Sequence, residues 1–294
     1  MRYEAMSRLI GQHSVRKMAK ALGVKDAAYY QWKRRQKINA EKQKLQEALT
    51  EVVRTAFEES DSTYGYRKMT QVLATRGCVL SEYKVRHIMR SCGMYPITTV
   101  KYRPAKRGKA DGRYLDNLFN QDFSTTRPNQ KWAGDITYIK TKLGWVYLAA
   151  VIDLHNKEIV GYDISKKMDA ELVCRALSYA LTRRNITKKD NLIFHCDRGV
   201  QYASRRFQGM LEANDVTGSM SQAGCPYDNA CAESFFSSAK RERIYRKNYL
   251  DIVEVRRDLF DYIEVFYNRK RIQACLGYVS PVSFRAGTEV RKAA

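Results

Sequence analysis

The sequence predicts an α/β domain with a mixed sheet flanked by helices, preceded by α-helical helix-turn-helix units. Three observations carry this. The front third places apolar residues at helical spacing between cap and turn residues; three β-rich runs then follow from Lys131; and helix and strand patterns alternate after them.

In the front third, Ser14 is placed to cap a helix whose Val15, Met18, Ala19 and Leu22 share one face. Gly23 and Val24 turn the chain, and Asp26 opens a second helix expected to end in Lys33, Arg34 and Arg35. A charged helix from about Ala40 to Ser60 aligns Leu45, Leu49, Val52, Val53 and Ala56 in a stripe and serves as a connector. Next, Tyr66 to Thr75 forms a helix, Arg76 and Gly77 turn, and Ser81 caps a helix with Lys84, Arg86 and Arg90 opposite Val85, Ile88 and Met89. Each pair is a helix-turn-helix pattern, a unit that sets its second helix in a DNA major groove with basic ends near phosphates. A basic, Pro- and Gly-punctuated stretch then reads as a linker. The expected organisation is 1–60 (first unit and connecting helix), 61–112 (second unit and linker) and 113–294 (the α/β part with C-terminal helices).

WAGDITYIK, GWVYLAAVIDL and EIVGYDIS, separated by short turns, predict an antiparallel meander. The segment from Asp169 to Arg184 is an amphipathic helix, LIFHCD a short buried strand and SRRFQGMLEAN a further helix. There is no internal repeat and no low-complexity tract.

The formal net charge of +22 and pI near 9.7 point to a polyanionic partner, with nucleic acid foremost. Residues 1–112 hold 24 Lys and Arg against 10 Asp and Glu, so the helical part is the more basic. Seven cysteines without a CxxC pair and only four histidines argue against a disulfide framework or a structural zinc site. With no signal peptide and no apolar run of membrane-spanning length, the expectation is a cytoplasmic protein without a membrane partner.

Three carboxylates carry the candidate chemistry: Asp135 inside the first strand, Asp197 ending LIFHCD, and Glu233 in a helix-like segment. An Asp in the middle of a strand costs several kcal/mol of burial energy (about 3–5 once a partner is missing) unless it is paired or binds a cation. Hard oxygen ligands gathered from three elements suit a magnesium pair, which drives displacement at phosphorus. Lys240 lies two helical turns beyond Glu233, placed for DNA phosphate. Asp153, at the end of the second strand, reads as a turn cap, and His195 as a packed, hydrogen-bonded residue.

WAGDITYI, HCDRGVQYAS, YDNACAESFFSSAKRE and YNRKRIQACLGYVSP, in that order, resemble the integrase core of the DDE transposase and retroviral integrase superfamily. More closely they resemble the second-frame (OrfB) transposases of IS-three-type bacterial insertion sequences, and the TYGYRKM unit extends the likeness over nearly the whole chain. The resemblance implies an RNase H-like fold with a five-stranded mixed sheet. It also implies two Mg²⁺ (or Mn²⁺) ions held by catalytic Asp135, Asp197 and Glu233, with double-stranded DNA, as transposon ends and target, for substrate. Strand cleavage leaves a 3′-OH that attacks a second phosphodiester, with no covalent enzyme intermediate. Candidate DNA contacts are Lys33, Arg34, Arg35, Lys84, Arg86, Arg90, Lys240 and Arg271. Synapsis of two ends implies a homo-oligomer on DNA, nucleoid-associated when bound, and members of the group are often made as a fusion with an upstream-frame protein.

The chain departs from the usual pattern at Gln273, where a His is expected, at Cys196 for a Ser, and at Gln222 and Ala223, which replace basic residues. Two other readings stand beside the transposase: a catalytically silent, transposase-derived DNA-binding protein, and an RNase H-like nuclease that cuts without joining.

Overall fold

A computed structural model describes residues 1–99, 114–119, 122–222 and 229–293. The chain forms two compact units, Met1–Met94 and Tyr95–Ala294. The boundary expected near residue 112, and most of the basic linker around it, lie outside the described residues.

In the first unit, α1 (Arg2–Arg8) and α2 (Val15–Ala21) bury Met6, Met18 and Ala19 against Tyr29. Ser14 caps α2 by accepting the Lys17 N–H, as its position predicts. The next helix departs from expectation: α3 runs unbroken from Asp26 to Glu59 and does not stop at Arg35. No Gly or Pro interrupts those 34 residues, so the separately anticipated connector is the same helix continued. Its far end buries Val53, Ala56 and Phe57 and packs on α4 (Tyr66–Thr75) and α5 (Glu82–Ser91). Those two bury Met69, Leu73, Val85, Ile88 and Met89, joined by a turn in which Gly77 takes φ +79° and Ser81 caps α5.

The second unit is built on a five-stranded sheet of order β3-β2-β1-β4-β5. β1 (Lys131–Thr141), β2 (Gly144–Asp153) and β3 (Ile159–Ser165) form the expected antiparallel meander. After α6 (Ala170–Arg184), β4 (Ile193–Cys196) returns parallel to β1, because the helix carries the chain back across the sheet. α7 (Arg205–Ala213) then leads to β5 (Thr217–Met220), parallel to β4. This is the mixed sheet with flanking helices that the sequence predicts, and Thr217–Met220 is the fifth strand, which no residue pattern had located. Trp132 and Ile136 of β1 belong to one core with Leu172, Val173, Leu177 and Phe207 of α6 and α7. α6 sits so close to β3 that a Cβ on Gly161 would come within 2.4 Å of the Ala176 carbonyl oxygen.

α8 (Ala230–Glu242) and α9 (Ile252–Phe260) follow, and α9 widens into π-helical turns over Asp261–Tyr267 before α10 (Pro281–Ala293). Just past the π turns, the fully buried Asn268 covers the open edge of β3. Its Nδ2 donates to the Ile159 carbonyl at 3.0 Å and its Oδ1 accepts the Ile159 N–H at 2.9 Å. Asn268→Ala leaves both backbone groups buried and unsatisfied, a loss of about 3 kcal/mol, expected as a lower urea midpoint together with faster amide exchange at Ile159.

Candidate active site

Asp135 and Asp197 meet through strand register. Gly134 of β1 pairs with Cys196 of β4, and each Asp follows its member of this pair by one residue. Side chains alternate across a strand, so with Trp132 and Ile136 in the α6 core, Asp135 points to the opposite face. Asp135 is buried at 5% exposure, and its Oδ1 accepts the Ile136 N–H at 2.7 Å. Asp197 begins the loop after β4, where its Oδ1 accepts the Gly199 N–H at 3.0 Å.

Two buried neighbours register the shared negative field. Burial, followed by Asp197 and Asp135, pushes the Cys196 thiol well above its ordinary value. The Tyr202 hydroxyl is raised in the same way, by burial first and then by Asp135, Cys196 and Asp197, which keeps it a protonated O–H. Gly134 makes room for this packing, since a Cβ there would lie 2.4 Å from Phe194 Cζ and 3.3 Å from the Tyr202 oxygen.

Glu233 is an exposed residue in the first turn of α8, one helical turn after Asn229. Asn229 is buried, and its Nδ2 donates to the Gly134 carbonyl at 3.2 Å, tying the start of α8 to the residue before Asp135. Among the described residues, no three His, Cys, Asp or Glu side chains lie together closely enough to hold a metal ion. The structure thus brings Asp135 and Asp197 together, while Glu233 does not complete a three-carboxylate group with them. Residues 223–228, immediately ahead of α8, lie outside the described residues.

The donor set nonetheless fits hard divalent cations. One carboxylate sits inside β1 and the other just past the end of the neighbouring β4, and Asn229 Oδ1 is a buried oxygen with no hydrogen-bond partner.

Comparison with known proteins identifies the family. Residues 125–226 and 233–288 match integrase core domain families, and residues 44–102 match an HTH-like domain. The transposase InsF for insertion sequence IS3A of Escherichia coli K12 is 37% identical over 97% of this chain and 98% of its own length. The chain belongs to the IS3 family of insertion-sequence transposases. The transposase of IS904 from Lactococcus lactis IL1403 is 38% identical over 81% of this chain and 93% of its own. Among solved structures, a simian T-cell lymphotropic virus intasome in complex with PP2A regulatory subunit B56 gamma aligns at 15% identity and a TM-score of 0.44. That alignment covers 74% of this chain and 70% of the other.

In this transposase, Lys33, Arg34 and Arg35 are exposed in the first third of α3. On α5, Arg86 and Arg90 are exposed and Lys84 is half-buried, with the Arg86 guanidinium 5.6 Å from the Tyr66 ring centre. Lys240 projects from α8 over the Tyr138 ring at 5.1 Å. Arg271 is a correction. Its guanidinium is largely buried and makes bonds of 2.7–3.1 Å to the Glu242 carboxylate and one of 3.2 Å to Ser238 Oγ, which gives it an internal partner in place of phosphate.

Asp153 is fully buried at the end of β2 and accepts the Asn129 and His155 N–H groups, each at 2.9 Å, as a turn cap should. Desolvation raises its pKa. His195 is buried between Ser219 Oγ at 2.8 Å and Ser221 Oγ at 3.1 Å and stacks on Phe119, the packed role its sequence position suggests. Sequence reasoning missed Tyr202 and Asn229. Both stand inside motifs already singled out, HCDRGVQYAS and YDNACAES, but neither is a residue type that advertises metal chemistry.

Proposed function

We propose that this transposase cuts and joins DNA at the ends of its insertion sequence, with Asp135, Asp197 and Glu233 as the ligands of two Mg²⁺ or Mn²⁺ ions. The β1–β4 register, which ends at Gly134 and Cys196 and so sets Asp135 and Asp197 one residue beyond that pair, is the observation that supports this reading. Bound ions supply a lowered pKa for the attacking oxygen and charge neutralisation for the departing one. The protein's own part is placement. Strand register fixes the two Asp carboxylates side by side, and the Asn229 bond to Gly134 holds the start of α8 beside them. Glu233, exposed one turn along α8, is assigned as the third ligand on the family resemblance of the YDNACAES segment. Burial and the nearby Asp135 and Asp197 keep the Tyr202 hydroxyl protonated.

In the first step a water oxygen bonds to phosphorus as the P–O3′ bond breaks, giving a free 3′-OH and a 5′-phosphate. In the second, that 3′ oxygen bonds to the phosphorus of another phosphodiester, whose own 3′ oxygen departs and takes up the proton the attacking hydroxyl gives up. Two ends must be held at once, so the working form is a homo-oligomer on double-stranded DNA, in the cytoplasm with the nucleoid. A partnership or fusion with an upstream-frame protein is compatible with this arrangement.

The test is a single-turnover assay on end DNA with Mg²⁺ and, in parallel, with EDTA. Metal-dependent 3′-OH ends followed by joined products support the proposal. Cutting without joining indicates a nuclease, and binding without cutting a silent DNA-binding protein.

Lys33, Arg34 and Arg35 are proposed to neutralise phosphates. Replacing all three by Ala is expected to make the slope of log K against log[salt] shallower by about 2.7, since each phosphate contact contributes roughly 0.9. Fluorescence anisotropy across a salt series checks it.

A further inference from the structure

The β1–β2 hairpin ends in a cleft well away from the carboxylates; Lys140 is five residues beyond Asp135, roughly 17 Å along an extended strand. The cleft measures about 550 Å³, within the size range of small-ligand sites. Tyr138, Lys140, Lys142 and Trp145 line it from the hairpin, and Tyr245 and Lys247 from the segment after α8. Its two walls are fastened together, because Lys142 N–H donates to the Tyr249 carbonyl at 2.9 Å and Leu143 N–H to the Leu250 carbonyl at 3.2 Å.

Its chemistry is unusual for a free surface. Trp145 is 51% exposed and meets Tyr138 edge-on, with ring centres 5.3 Å apart, while Tyr138 and Tyr245 are each 38% exposed. No described lining residue is acidic. Lys247 is engaged by Asp258, but Lys140 and Lys142 are exposed and make no ion pair among the described residues. The exposed Trp145 indole beside the ammonium groups of Lys140 and Lys142 matches a partner with a flat π face and a negative charge on one unit. A nucleotide has both. A paired duplex shows only phosphates and groove edges and hides its base faces, so it gains nothing from Trp145.

We propose that this cleft binds one unpaired nucleotide of DNA, with the base against Trp145 and the phosphate at Lys140 and Lys142. This rests on the DNA reading above and adds a subsite that distinguishes single-stranded from paired DNA.

The experiment titrates the full chain, in EDTA to prevent cutting, with a fully paired duplex and with the same duplex carrying three unpaired thymidines at one end. Affinity is read by anisotropy and stacking by quenching of tryptophan emission. The wild type is expected to prefer the tailed duplex about tenfold. Trp145→Ala should abolish that preference and the quenching while leaving affinity for the paired duplex unchanged, and Trp145→Phe, which keeps an aromatic face, should retain most of the preference. Lys140→Ala with Lys142→Ala should reduce it without altering the quenching chromophore. Equal affinity of the wild type for the two probes overturns the proposal, as does an equal loss of both in Trp145→Ala. A change of oligomeric state in Trp145→Ala with the preference intact assigns the cleft to a second copy of the chain and also overturns it. If neither probe binds, the DNA reading itself fails; if the paired duplex binds and the tail adds nothing, only the cleft assignment does.

Discussion

Asp197→Asn is expected to slow single-turnover cleavage of end DNA roughly a thousandfold or more, an increase in barrier of about 4 kcal/mol. The substitution keeps the shape of the side chain, and its amide oxygen can still accept the Gly199 N–H that Asp197 Oδ1 accepts at 3.0 Å. What it removes is one negative charge from the pair set by the β1–β4 register, and with it the attraction that would hold a divalent cation. Asp135→Asn should behave alike, because register puts the two carboxylates at equivalent positions. Asp153→Asn is the matched control. That carboxylate accepts the Asn129 and His155 N–H groups on its two oxygens, so an amide there loses one of these bonds, about 1–3 kcal/mol of stability, while the folded enzyme should still cleave. Rates from quenched gels, with circular dichroism melts to confirm folding, decide the matter. An Asp197→Asn enzyme that cleaves at the wild-type rate would remove the carboxylate pair from the mechanism.

Arg271→Ala tests a different role. Arg271 closes a network in which Glu242, nearly buried on α8, accepts from the guanidinium and from the Tyr262 hydroxyl at 2.8 Å. Removing one member of a buried ion pair leaves the other charged and unpartnered, a cost of about 3–5 kcal/mol. For a unit of this size that lowers Tm by about 10 °C. Restoring neutrality with Arg271→Met and Glu242→Gln together should recover much of the loss, because the desolvation penalty then disappears from both sides. A phosphate-contacting arginine would give the opposite pattern, an unchanged Tm and a salt slope shallower by about 0.9.

Much of the second unit could be read from the chain because each of its longer elements announces itself locally. The three runs from Lys131 became β1 to β3 almost residue for residue, and Asp169 caps α6 by accepting the Leu172 N–H at 3.1 Å. What could not be read depends on partners distant in sequence. Thr217–Met220 has no alternation and contains Gly218; it becomes a strand because β4 lies beside it and Leu115 packs where a Cβ would be. Arg271 looks like any basic residue until Glu242, 29 positions earlier, takes its guanidinium. The end assigned to the second helix at Arg35 followed the habit of compact helix-turn-helix units, whereas the absence of any breaker before Glu59 argued for continuation. Of the candidate site, Asp135 was legible because an acid in mid-strand is costly, and Asp197 because it ends the short buried run LIFHCD. The attachment of α8 was not, since it depends on an Asn side chain reaching a backbone carbonyl.

The unbroken α3 makes the first unit a ruler. From Lys33 to Leu45 and beyond, its middle is exposed to solvent and only its two ends are packed, so roughly 24 Å of bare rod separates the clusters around Tyr29 and Phe57 over about 16 residues. If both ends grip one duplex, their separation is set in steps of 1.5 Å and their bearing in steps of 100° per residue. A single inserted alanine would swing one grip about a quarter-turn away from the other, and even a four-residue insertion, which nearly restores the bearing, would still shift the contacts by about two base pairs.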